Sequence, residues 1–218
     1  MGGPCVRPKK VFIYFRRNKK MFRTFVIKLF YIIFHTIIPT KIIGKENIPK
    51  EGAAVLCSNH IHVLDSVSIV SNIKRMMYVI AKEELFKTKI GNWFFRKVGV
   101  FPVSRGTGDT AAIETANKHL QDGDLLLIFP EGTRNGLAKG LKFKKGAAYM
   151  ALQNKVPVIP IGVVGKFKPF TKVTINIGKP MDISEYITEE KVDPRKVITL
   201  TSKIQEEVVR LRNEITNS

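Results

Sequence analysis

The first 45 residues contain no acidic side chain; Glu46 is the first carboxylate, and eleven Lys or Arg precede it. Those eleven make up over half of the net charge of +19. Such asymmetry points to an anionic partner, either nucleic acid or the acidic face of a bilayer. Long apolar runs are also missing. The longest uncharged stretch of the N-terminal region, residues 29–40, has twelve residues, against the about 20 that span a bilayer, and Pro39 ends any helix there. Cysteine is scarce: Cys5 and Cys57 suggest neither a pairing nor a metal site, so a reducing compartment is expected. No Gly-x-Ser-x-Gly occurs, which removes the usual serine hydrolase. Gly162 to Lys166 lacks the length and hydroxyl of a P-loop. His60 and His62 lack the Asp-His partner of a two-metal hydrolase, so His62 reads as local polar packing, and His35 and His119 stand in unpromising contexts. Val6 stands where N-myristoylation wants Ser or Thr, and no small-residue cleavage site follows Ile38. There is no internal repeat.

At 218 residues and 44% hydrophobic, the chain is long enough to bury a core as one main domain. Near the N-terminus, Phe12, Phe15, Phe22, Val26, Leu29, Phe30, Ile33 and Ile37 recur at helical spacing, with Lys19 as a break. Arg16, Arg17, Lys20 and Arg23 fall mostly off that stripe. An interfacial helix, apolar side sunk to the headgroup boundary, fits this pattern; a helix that caps the domain's own core is the plainer reading. Aromatics clustered in an apolar stripe rather than on a basic stacking platform argue against nucleic acid, although a non-catalytic basic binding module stays open. We divide the chain into an anchor over residues 1–40 and an α/β domain over 41–218. Within the latter, residues 53–57, 76–81, 98–103, 125–129 and 156–164 read as strands, and 172–177 as a strand with one side exposed. Residues 63–72, 109–121 and 143–154 read as helices, with Asp109 and Asp182 as caps. Asp193-Pro194 opens a last helix striped by Val197, Leu200, Ile204, Val208, Leu211 and Ile215. The alternation predicts an α/β fold, a mixed central sheet flanked by helices.

His60 and Asp65 come first among residues that suit chemistry. Five apart on one helix they point about 140° from each other. They meet only if His60 lies in the loop leaving a strand and Asp65 in the following helical turn. Asp65 then orients the imidazole, leaving a nitrogen free as a general base toward a substrate hydroxyl. The alternative is a strand-end histidine beside a helix-capping aspartate. About seventy residues on, an apolar strand delivers Phe129-Pro130-Glu131-Gly132-Thr133-Arg134, at the end where open α/β sheets place ligands. Arg134 offers a planar fork for phosphate and Gly132 permits close backbone approach. Glu131 is free to hold Arg134 or a substrate hydroxyl; an ordinary polar turn is the plainer alternative. Lys82 and Arg105 likewise follow apolar runs, and three converging cations would neutralise a phosphate dianion.

Together these residues resemble the lysophosphatidic acid acyltransferase family, the 1-acylglycerol-3-phosphate acyltransferases. Asn59-His60…Asp65-Ser66 is similar to that family's first motif, and residues 99–106 to its second, with Ser104 where an acidic residue is common. Residues 129–134 and 156–162 resemble its third and fourth, and Lys82 sits in a similar segment. The match runs roughly over residues 42–180, and residues 11–38 resemble the family's N-terminal amphipathic helix pair. The resemblance implies His60 as base and Asp65 as its orienting acid. It implies Lys82, Arg105 and Arg134 around the acceptor's phosphate, with Glu131, Gly132 and Thr133 shaping the pocket and residues 157–162 on the acyl side. It implies no metal and no cofactor, an acyl-CoA or acyl-carrier-protein donor, and lysophosphatidic acid as acceptor. Another lysophospholipid or glycerol 3-phosphate is the alternative acceptor. A monotopic protein on an anionic membrane surface, its catalytic domain toward the cytoplasm, is the implied setting, and activity is expected to fall as acid protonates His60.

Overall fold

The computed structural model describes residues 9–103, 110–189 and 191–217. Its core is a mixed seven-stranded sheet. In chain order the strands are β1 (Thr40–Ile43), β2 (Ala54–Ser58), β3 (Met77–Lys82), β4 (Val100–Val103), β5 (Leu125–Ile128), β6 (Val158–Gly165) and β7 (Val173–Ile177). Across the sheet they run β1-β7-β6-β2-β5-β3-β4. β6, β2, β5, β3 and β4 are parallel neighbours; β7 is antiparallel to β6 and parallel to β1. The helices are α1 (Lys9–Ile37), α2 (Asp65–Asn72), α3 (Lys89–Val98), α4 (Thr110–Gln121), α5 (Gly146–Asn154) and α6 (Pro194–Thr216).

Connection handedness places these helices. From β2 the chain steps through α2 past β5 to β3, whereas β4 to β5 and β5 to β6 step back the other way. Right-handed crossovers moving in opposite senses fall on opposite faces of a sheet. One face accordingly packs Leu120, Ala147, Ala151, Val197, Leu200 and Ile204 from α4, α5 and α6. The other packs Ile69 and Val70 of α2 and Phe30 of α1 against Leu56, Leu127 and Ile161. Central strands buried on both faces need uninterrupted apolar sequence, which β2 and β5 have.

Several elements differ from the sequence expectation. The β7 strand has no exposed side: Val173, Ile175 and Ile177 face one core, and Asn176 is buried by α6, its side chain donating to Leu211 O at 3.3 Å and to Glu214 Oε2 at 3.0 Å. β1 forms across the boundary expected between anchor and domain, because its amides have a partner in β7. α3 is an element that the sequence reading does not contain. Asp182 stands one residue before the cap position, Ile183, of a short 3-10 turn, and its Oδ1 accepts from Ser184 N at 2.9 Å. Asp193 caps α6 as expected, Oδ1 accepting from Arg195 N at 2.8 Å with Pro194 in the first turn. Asp109 lies outside the described residues.

The N-terminal segment is one helix, α1, rather than the helix pair implied by resemblance. Its inner side carries Val26 and Phe30. Arg23, expected to face an anionic partner, is turned inward and buried. Its Nε donates to Val98 O at 2.9 Å and its Nη2 to Met77 O at 2.6 Å, while Nη1 meets Met76 Sδ. Burial lowers the Arg23 pKa, with Tyr78 and Asp124 opposing. The guanidinium thus ties α1 to the end of α3 and the start of β3.

α6 crosses β6 at Gly162, where an added Cβ would stand 2.6 Å from Arg212 N and 2.8 Å from Leu211 C. Both are backbone atoms and cannot swing aside. Gly162→Ala is therefore expected to destabilise the fold by about 1–3 kcal/mol, read by urea unfolding; unchanged stability would contradict this close approach.

Candidate active site

His60 leaves β2 in a non-helical loop, and Asp65 opens α2. This break in regular structure lets residues five apart meet: His60 Nδ1 lies 2.8 Å from Asp65 Oδ2. The same oxygen accepts from Ile61 N at 2.7 Å and His62 N at 2.9 Å. Asp65 is fully buried, at 0% exposure. A buried carboxylate needs such donors, and the positive end of α2 adds to them. With a carboxylate accepting, the proton belongs on Nδ1, so Nε2 is the nitrogen left without a proton. The imidazole retains 21% exposure and stacks on Phe129, the centroids 4.4 Å apart.

The loop after β5 closes round the same histidine. Glu131, 3% exposed, accepts from His60 N through Oε1 at 2.7 Å and from Leu137 N through Oε2 at 2.8 Å. Asn135 N donates to His60 O at 2.6 Å. Both oxygens of the Glu131 carboxylate thus serve backbone amides, and among the described residues it makes no contact with Arg134, one of the two partners the sequence suggests. Gly132 follows at φ 65°, the left-handed region, and a Cβ there would meet Lys144 Cε at 2.6 Å. Thr133 is half-buried and Arg134 exposed. Lys82, also exposed, ends β3. Since β2, β5 and β3 are adjacent and parallel, His60, the 131–134 loop and Lys82 all lie at one edge of the sheet. Lys82 is two strand steps from β2, about 10 Å. Arg105 lies outside the described residues.

Asn59 and His62, both noted in the sequence, complete this edge. Asn59 pairs with β6 as a strand residue would: Nδ2 donates to Val163 O at 2.9 Å, and Oδ1 accepts from Val163 N at 2.7 Å. An amide side chain beside a histidine at a strand end was the available signal. His62 stacks on Phe167 at 5.0 Å, and its Nδ1 accepts from Leu64 N at 3.3 Å. Phe129 and Phe167 make this edge apolar as well as basic. His119, Asp122 and Asp124 gather elsewhere, before β5 and so at the opposite edge from His60.

A profile of the family described as Acyltransferase matches residues 39–164, which include His60, Asp65 and the 131–134 loop. The chain belongs to the acyltransferase family. Similar proteins include 1-acyl-sn-glycerol-3-phosphate acyltransferases of Bacillus subtilis, 27% identical across 80% of this chain and 89% of that one, and of Borreliella burgdorferi, 30% identical across 77% and 69%. Among solved structures, the 1-acyl-sn-glycerophosphate (LPA) acyltransferase PlsC from Thermotoga maritima superposes with a TM-score of 0.69. It is 28% identical and the match covers 96% of this chain and 89% of that one.

Two substitutions separate the acids of this acyltransferase. Asp65→Asn can place its carbonyl oxygen where Oδ2 stands and keep all three donors, losing only charge. It is expected to fold normally and to lose acyl transfer by roughly 10²-fold or more. Glu131→Gln must set an NH2 group against a backbone N–H, at a cost of about 1–3 kcal/mol. Unfolding curves and turnover measured on both variants check the contrast.

Proposed function

We propose that this acyltransferase moves a fatty acyl group from a thioester, acyl-CoA or acyl-carrier-protein, to the free hydroxyl of lysophosphatidic acid, forming phosphatidic acid at a membrane surface. The observation that carries the reading is His60 oriented by buried Asp65 at the sheet edge where Lys82 and the 131–134 loop also end. His60 Nε2 takes the acceptor's hydroxyl proton as that oxygen attacks the thioester carbonyl. The C–S bond then breaks, and the leaving thiolate recovers the proton from the imidazolium, releasing a free thiol. Asp65 stabilises the imidazolium between those steps without itself taking the proton. Lys82 and Arg134, with Arg105, neutralise the acceptor phosphate; Gly132 and Thr133 shape the pocket and Glu131 holds the loop round His60. Residues 157–162 line the acyl side. The names of the similar proteins support lysophosphatidic acid as acceptor.

The membrane setting rests on α1. Met21, Phe25, Leu29 and Ile32 are exposed and lie within an arc of about 80° at 100° per residue, beside the buried side that docks on the domain. Among the described residues no helix is long and apolar enough to cross a membrane. An amphipathic helix lying in the interface fits these facts, with the catalytic edge toward the cytoplasm.

Purified protein in detergent, given both substrates, should release thiol, and His60→Ala should lower that rate roughly 10²–10⁴-fold. Full turnover by His60→Ala would overturn the reading. Competition among acceptors tests the phosphate sites: an acceptor without phosphate should compete poorly, and Arg134→Gln should raise the KM for lysophosphatidic acid more than that for the thioester.

A further inference from the structure

The outer stripe of α1 is not the limit of the exposed apolar surface. α3 is amphipathic and turns part of its apolar side outward: Ile90 is 81% and Trp93 54% exposed. Trp93 packs on Phe22 of α1, centroids 5.4 Å apart. Phe22 lies about 20° round the helix from Leu29, so the indole continues the α1 stripe sideways. Lys97 Nζ stands 5.7 Å from that indole, and Lys87 and Lys89 precede Ile90 in the chain.

A second outlier lies at the other end of α1. Phe170, 86% exposed, sits at φ 61° in the loop between β6 and β7. A bulky side chain is costly in that region of backbone space and persists where surroundings impose it. Here Phe170 N donates to Ile37 O at 2.7 Å, tying the loop to the end of α1. Lys166, Lys168 and Lys172 surround it in sequence. The positions of both outliers follow from topology. The 166–172 loop leaves the end of β6, and α3 follows the end of β3, while β2 and its His60 lie between those strands. Exposed apolar groups therefore flank the catalytic edge on both sides, with β6 and β3 three strand steps, about 14 Å, apart.

We propose that the membrane-contact surface comprises three elements: the outer stripe of α1, Ile90 and Trp93 of α3, and Phe170, all docking on an anionic bilayer. The inference rests on the membrane reading of α1 and extends it. Tryptophan favours the headgroup level, and lysines beside apolar groups complement anionic lipid. Contact on both sides of the catalytic edge would bring His60 to the surface that holds an amphiphilic acceptor.

Trp93 is the chain's sole tryptophan, so its fluorescence reports on α3 directly. With vesicles of phosphatidylcholine and phosphatidylglycerol, emission should shift to the blue, and lipids brominated near the glycerol end of the chain should quench it. Co-pelleting with the vesicles without a shift or quenching would overturn the role of α3 and leave α1 as anchor; no co-pelleting would overturn both readings. Ile90→Ser and Phe170→Gly should each weaken vesicle partitioning roughly tenfold, with turnover of a short-chain acceptor in detergent unchanged. Glycine accepts the left-handed backbone at 170, so Phe170→Gly should melt no lower than the parent while it binds less. Partitioning equal to the parent in either variant would overturn that residue's part in the surface.

Discussion

A carboxylate without access to water must find donors, and Asp65 gathers three on one oxygen: the His60 ring and the amides of Ile61 and His62. The consequences run outward. The loop between β2 and α2 is wound round that oxygen, so the backbone and the imidazole are fixed by the same atom. Glu131 repeats the device from β5, binding the His60 amide on one oxygen and the Leu137 amide on the other. One histidine is thus held by its ring from its own loop and by its backbone from a neighbouring strand. Asn59 adds a third hold by extending the pairing of β2 with β6.

The sheet makes such a convergence possible. With β6, β2, β5 and β3 parallel, the loops that follow them open at one edge, and chemistry dispersed over a hundred residues of sequence meets there. The opposite faces serve stability. α6 lies so close on β6 that only glycine fits at 162, which gives the fourth sequence block a packing role.

What the sequence disclosed and what it hid follow physical lines. β2, β5 and β6 were legible because strands buried on both faces must be apolar throughout. The His60–Asp65 contact was legible because the spacing permits it only across a strand-to-helix break. The hold of Glu131 on the loop was hidden because its partners are backbone amides, one of them 71 residues away in sequence, and amides leave no signature of residue type. α3 is amphipathic in sequence yet escaped notice: it is short, runs straight into the apolar segment of β4, and its apolar side is not sunk in the core, Ile90 and Trp93 standing exposed. β1 is four residues long and gains its stability from β7. The charges of the basic N-terminus suggest an outward-facing helix, yet Arg23 makes its hydrogen bonds inside.

Arg23 carries a consequence for any effort to handle this protein in water. An arginine sealed beneath α1, donating to the carbonyls of Val98 and Met77, makes that helix a working part of the domain rather than a detachable tether. Cutting it away would uncover the apolar surface on which Phe30 packs and leave two carbonyl oxygens bare. A detergent-free form is better reached by repainting the helix's outward side with polar residues and keeping its underside whole.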